Sequence, residues 1–220
     1  MLGEPMPQLP TAVDLALVLA VDTSGSVSEE RLTLQIRGYS DAFRQPDLAQ
    51  VIRRGRHGRI LTTFVEWSDS GRQTQSVGWT PVDDALSAAG FADAILAAVA
   101  PTPGWTSISG AIDFSARLIA ELKVSADRRV IDVSGDGSNN DGRPAEAARD
   151  AATAAGLTIN GLPILGAEPR LDAYYRDHVI GGPQAFMVVA RDLGSFATAV
   201  MEKLLVEIAG TQPVATARSG

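Results

Sequence analysis

Asp22, Ser24 and Ser26 stand two residues apart in VLAVDTSGSVSEER, residues 18–31. In an extended segment alternate residues point to the same side, so these three side-chain oxygens converge if the chain stays open beyond the apolar run. Gly25 lets the backbone bend there without a side-chain clash. Two further oxygen-rich stretches follow, TSIS at 106–109 and GDGSNND at 135–141. Neither His nor Cys occurs in any of the three. Carboxylates and hydroxyls alone suit a hard cation, and magnesium takes about six oxygens at roughly 2.1 Å. Each stretch also has a plainer reading as a helix cap, with Ser28, Ser107 and Asn140 as the capping residues.

The elements around these loops favour a shared site. Val13–Val21 is apolar except at Asp14 and reads as a strand buried on both faces, the kind found in parallel sheets. Leu32, Ile36, Tyr39 and Phe43 recur on one face of a helix capped by Ser28. ILTTFVEW at 60–67 reads as a second strand, and 72–79 as an edge strand joined to it through SDSG. Phe91, Ile95 and Val99 mark a helix ending before Pro101, and Ile108, Ile112, Ile119 and Leu122 another. RVIDVS at 129–134 is a core strand, and Pro144 and Gly156 bracket an Ala-rich helix. Leu157–Ile164 is a strand, 171–179 a short helix and 185–190 a last strand. Leu193, Phe196, Val200, Leu204 and Ile208 make the final helix.

This alternation predicts one α/β domain, doubly wound, with a mainly parallel central sheet, one antiparallel edge strand and helices on both faces. The domain is expected over residues 12–210, after a short extension at 1–11 and before a disordered tail at 211–220. In such sheets ligands bind beyond the carboxyl ends of the strands, where strand order reverses. Asp22 and Asp136 both fall on that rim.

Composition narrows the partners. The net charge is −7, against a nucleic-acid or anionic-membrane binder, which needs clustered cations. The basic run RRGRHGR at 53–59 reads as a solvated loop. The absence of cysteine removes disulfides, thiolate nucleophiles and Cys-based zinc sites. The apolar run Leu15–Val21 is far short of the roughly 20 residues a spanning helix needs. The opening MLGEPMPQLP carries no leader pattern.

DTSGS, then Thr106 ahead of a helix in TSISGAI, then SGDG after a core strand together resemble the von Willebrand factor type A family. The resemblance implies a metal-ion-dependent adhesion site made of Asp22, Ser24, Ser26, Thr106 and Asp136, each bearing the family's residue type. It implies Mg²⁺ there, with Mn²⁺ or Ca²⁺ as substitutes. Ser24, Ser26 and Thr106 would bind it through hydroxyls, and Asp22 and Asp136 largely through waters. An open position would then take an Asp or Glu from a partner protein. More narrowly, VLAVDTSGSV, FVEWSD, VIDVSGDGSNNDG and YYRDHVIGGP resemble a bacterial family of single-domain proteins of this type without an assigned activity, over roughly residues 12–210. Its members often carry secretion leaders, which implies export. Thr23 stands where Val is common, on a side chain that need not face the metal.

The expected function is therefore metal-dependent protein binding, not catalysis. No P-loop and no G-x-S-x-G elbow occurs, and neither His57 nor His178 adjoins a nucleophile. The strongest rival is a Mg²⁺-dependent, phosphatase-like hydrolase using Asp22, although Ser24 replaces the second Asp of D-x-D. Glu66 reads equally as a neighbour of the metal rim or a solvated strand end. Asp132, inside a core strand, needs a partner such as backbone N–H groups or an Arg, because a buried lone carboxylate costs several kcal/mol, roughly. Trp105 precedes Thr106 and is either packed into its own loop or exposed as a partner contact. The YYRDHVIGGP segment has no assigned role.

Overall fold

The strand β1 (Ala12–Asp22) is buried along nearly all its length because it lies in the middle of the sheet. Its alternate residues feed two layers. Leu15, Leu17, Leu19 and Val21 join one core cluster, and Val18 and Ala20 join the other. A continuous apolar run is what a strand covered on both faces requires. The computed structural model describes residues 9–25, 27–98, 104–166 and 168–210. Expectations for residues 1–8 of the N-terminal extension, Ser26, Val99, Pro101, the Leu193 side chain and the 211–220 tail lie outside the described residues.

Among the described residues the sheet has five strands in the order β3-β2-β1-β4-β5, with β2 (Ile60–Trp67), β3 (Gln73–Val82), β4 (Ser125–Gly135) and β5 (Thr158–Pro163). Only β3 is antiparallel, paired to β2 at the edge. One face is covered by α1 (Glu29–Phe43), α2 (Pro46–Arg53), α3 (Ala85–Ala98) and α7 (Leu193–Ala209). The other carries α4 (Ile108–Ala120), α5 (Ala145–Ala154), α6 (Leu171–Tyr174) and a π-helical turn over Tyr175–Val179. The doubly wound α/β architecture is thus as expected. Strand order reverses between β1 and β4, so Asp22 and Asp136 leave adjacent strands at the switch point.

Three local expectations need correction. The helix α2 was not anticipated from the sequence; eight residues are too few to hold a helix by propensity alone, and burial of Leu48, Ala49 and Ile52 decides it. Residues 185–190 do not form a regular strand. They run beside β5 as isolated bridges, Gly161 to Met187 and Ile164 to Ala190. The segment expected as one short helix changes from α to π at Tyr175. Asp14, the one acid in the first apolar run, accepts the backbone N–H of His57 (2.8 Å) and Arg59 (3.1 Å) and so anchors the basic loop to the sheet.

Candidate metal site

Three loops meet above the ends of β1 and β4, and backbone hydrogen bonds knit them together. Gly25 N–H donates to Gly104 O at 3.1 Å, joining the first loop to the second. Asn140 N–H donates to Thr106 O at 2.9 Å, and the Asn140 Oδ1 accepts from Thr106 N–H at 2.8 Å, joining the second to the third. Asn139 Oδ1 accepts from Ser109 N–H at 3.0 Å. Asn140 is therefore a clamp and not a helix cap, since α5 starts after Pro144. Ser28 and Ser107 do cap α1 and α4, each accepting a backbone N–H from three residues ahead. Capping and site-building coexist here: the loops are held open by one another while their outer residues start the helices.

Of the expected ligand set, Asp22, Ser24, Thr106 and Asp136 are brought to this rim, all almost fully buried. Ser24 Oγ and Thr106 Oγ1 lie 3.4 Å apart. Asp22 Oδ1 accepts the Ser24 N–H at 2.8 Å, and its Oδ2 is buried with no hydrogen-bond partner. Burial pushes the Asp22 carboxyl up to about 7; bonds from Ser24 and from the Asp136 backbone oppose this, and the charge of Asp136 adds to it. Thr23 turns away, its hydroxyl donating to Trp67 O at 3.2 Å.

A cation against Asp136 was not anticipated. Arg31, in the first turn of α1, places Nη1 3.2 Å from Asp136 Oδ2. A sequence signal existed: a basic residue in a helix's first turn opposes the helix dipole and calls for an acidic partner. Glu168 also reaches the third loop, accepting Ser138 N–H at 2.8 Å.

Glu66 is buried in β2 and accepts the Ser76 hydroxyl across the β2–β3 pair, so it is not a solvated strand end. Asp132 pairs with Lys203 Nζ at 2.7 Å, an ammonium and not the Arg or backbone expected. Trp105 is 68% exposed beside Thr106. A second group of ligand-capable atoms, from Asp14, His57 and Asp127, falls within 4.8 Å. It lies toward the opposite end of the sheet, where both Asp14 oxygens already accept backbone N–H groups.

The residues present fit a divalent cation. Two buried carboxylates share the rim, the charge of Asp136 adding to the cost of ionising Asp22; two hydroxyls lie beside them, and no cationic side chain pairs with Asp22 among the described residues.

Comparison with known proteins agrees with this architecture. No curated protein matches the chain in sequence. Proximal thread matrix protein 1 from the mussel byssus, solved with a zinc-occupied MIDAS motif, superposes with a TM-score of 0.62 at 17% identity, covering 90% of this chain and 46% of that one. The chain thus spans about half the length of the mussel protein. The vWF domain of the type V pili tip protein Mfa5 from Porphyromonas gingivalis gives 0.61 at 12% identity, covering 91% and 97%. The von Willebrand factor type A structure from Catenulispora acidiphila gives 0.58 at 16%, covering 89% and 43%. At such identities the likeness shows the fold. A family model described as "Protein of unknown function (DUF1194)" matches residues 12–212. The chain therefore belongs to the DUF1194 family and has the von Willebrand factor type A fold.

Proposed function

We propose that this domain is a divalent-metal-dependent protein-binding module in which Asp22, Ser24, Ser26, Thr106 and Asp136 hold one ion. The observation that carries the reading is Asp22, a carboxylate out of water's reach with no cation paired to it among the described residues, set where the fold keeps its ligands. Mg²⁺ is the ion best matched to an all-oxygen set, with Mn²⁺ or Ca²⁺ as substitutes. The zinc reported in the MIDAS motif of the mussel protein supports a divalent ion at this place in the fold.

When bound, the ion supplies a positive centre able to attract an Asp or Glu side chain of a partner protein. This chain's own groups do the rest. The Ser24 N–H fixes one Asp22 oxygen, the Asn140 clamp holds Thr106 in place, and Trp105 presents an exposed indole beside the rim. Catalysis is not part of the reading. Lys203 is buried in an ion-pair cluster, and His57 and His178 pair with Asp127 and Glu146. Among the described residues no helix is long and apolar enough to cross a membrane. The pilus-tip and byssus settings named for the similar structures support an exported protein.

The test is calorimetry with Mg²⁺ and Mn²⁺ on the wild type and Asp136→Ala. The wild type is expected to bind one ion with a Kd on the order of micromolar to millimolar, and the variant none. An Asp-containing peptide should then bind only with metal present and be released by chelator. Equal heats for both proteins, or turnover of a generic phosphate ester abolished by Asp22→Asn, would overturn the proposal.

A further inference from the structure

Tyr175 opens the π-helical turn and is fully buried, yet its hydroxyl has no hydrogen-bond partner. Asp22 Oδ2 is in the same condition. These two unmatched oxygens face one space. A Cβ built on Gly135, the last residue of β4, would lie 3.0 Å from Asp22 Oδ2 and 3.0 Å from Tyr175 Oη. A side chain at 135 would crowd both oxygens, and glycine leaves that space to them. An ionised carboxylate only accepts and a phenol readily donates, so the pair is chemically matched.

The local fold delivers the hydroxyl deliberately. The π turn widens the helix by one residue just where Tyr175 must reach β4, and such turns recur at functional sites. Ile180 N–H closes it on Tyr175 O at 3.0 Å, and Leu171 and Val179 anchor it in the core beneath. This is the YYRDHVIGGP segment.

We infer that Tyr175 is a positioning residue for the metal site: its hydroxyl donates to Asp22 Oδ2, directly or through one water lodged over Gly135, while Ser24 N–H holds Oδ1. With both oxygens held, the carboxylate cannot swing away from the rim. The inference rests on the metal-site reading above. Groups that orient a metal-site carboxylate in this way typically affect metal affinity by about 10–100-fold.

The experiment is Mn²⁺ titration calorimetry on the wild type, Tyr175→Phe, Tyr174→Phe and Asp22→Ala, with chelated melting curves and tyrosine difference absorbance. Tyr175→Phe is expected to bind Mn²⁺ about tenfold more weakly, with an unchanged chelated Tm. Tyr174→Phe should match the wild type. Mn²⁺ should perturb the tyrosine absorbance of the wild type, and that change should vanish in Tyr175→Phe. Wild-type affinity in Tyr175→Phe overturns the inference, as does a wild-type spectrum that Mn²⁺ leaves unmoved, which decides the matter even if the variant misfolds. If the wild type binds no Mn²⁺, the metal-site reading fails first. If Asp22→Ala abolishes binding while Tyr175→Phe does not weaken it, only the role of Tyr175 falls.

Discussion

Asp132 and Asp22 each place a carboxylate where water does not reach, one in the middle of β4 and one at the end of β1. Burial pushes both carboxyls upward. The surroundings differ. Asp132 lies 2.7 Å from Lys203 Nζ, which also meets Glu207 Oε2 at 2.7 Å, and Glu207 Oε1 accepts from Asn160 at 2.7 Å. Burial alone would lower the Lys203 ammonium, but the two acids together raise it, so the cluster carries its own cation. Asp22 has a second acid for company, and the cation Arg31 sits on that second acid. A buried acid with a built-in counterion belongs to the fold. One left without is poised for a cation from outside.

The comparison breaks if variants at the two places behave alike. The largest effect is expected from Lys203→Met, which strands Asp132 and Glu207 as unpaired buried acids. It should cost about 3–5 kcal/mol in denaturant unfolding and leave metal affinity of the folded protein unchanged. Asp22→Asn should do the reverse. Metal binding disappears in calorimetry, while the chelated protein gains on the order of 2 kcal/mol at pH 8, part of the roughly 4 kcal/mol that its raised carboxyl represents. If both variants destabilise, Asp22 is structural and the contrast is lost.

The pH dependence sharpens it. The folded Asp22 carboxyl titrates at about 7 and the free one near 3.8, so the folded state holds the proton to higher pH. The chelated protein should lose stability as pH rises from about 4 to 7 and level off above. Asp132 contributes a slope of the same sign, so the difference between wild type and Asp22→Asn isolates the rim. Since the ion must displace that proton, Mn²⁺ affinity should rise about tenfold per unit below pH 7 and flatten beyond it. The smallest effect is expected from Arg31→Gln. Removing a partly exposed competitor for Asp136 should tighten Mn²⁺ binding by about threefold, the scale of a surface ion pair.

What could be read from the chain was whatever depends on near neighbours. The apolar run of β1 ending in Asp22, the caps Ser28 and Ser107, and the helical spacing of Leu32, Ile36, Tyr39 and Phe43 all repeat within a few residues and matched the structure. Alternation misled at 185–190, where the pattern of a strand is present but pairing is limited to bridges along β5. Nothing local marks Lys203 as the partner of Asp132, because an amphipathic helix shows its core face but not which strand that face will meet.

By itself the sequence determined the alternating layers and the order in which three oxygen-bearing loops reach one rim, because periodicity and strand ends are local properties. The tertiary structure alone decided how each buried charge is met. Arg31 reaches Asp136 across 105 positions of sequence, Lys203 reaches Asp132 through the packing of α7, and Tyr175 faces Asp22 over a glycine. Those pairings follow from which strands lie side by side, and that is set by the sheet as a whole.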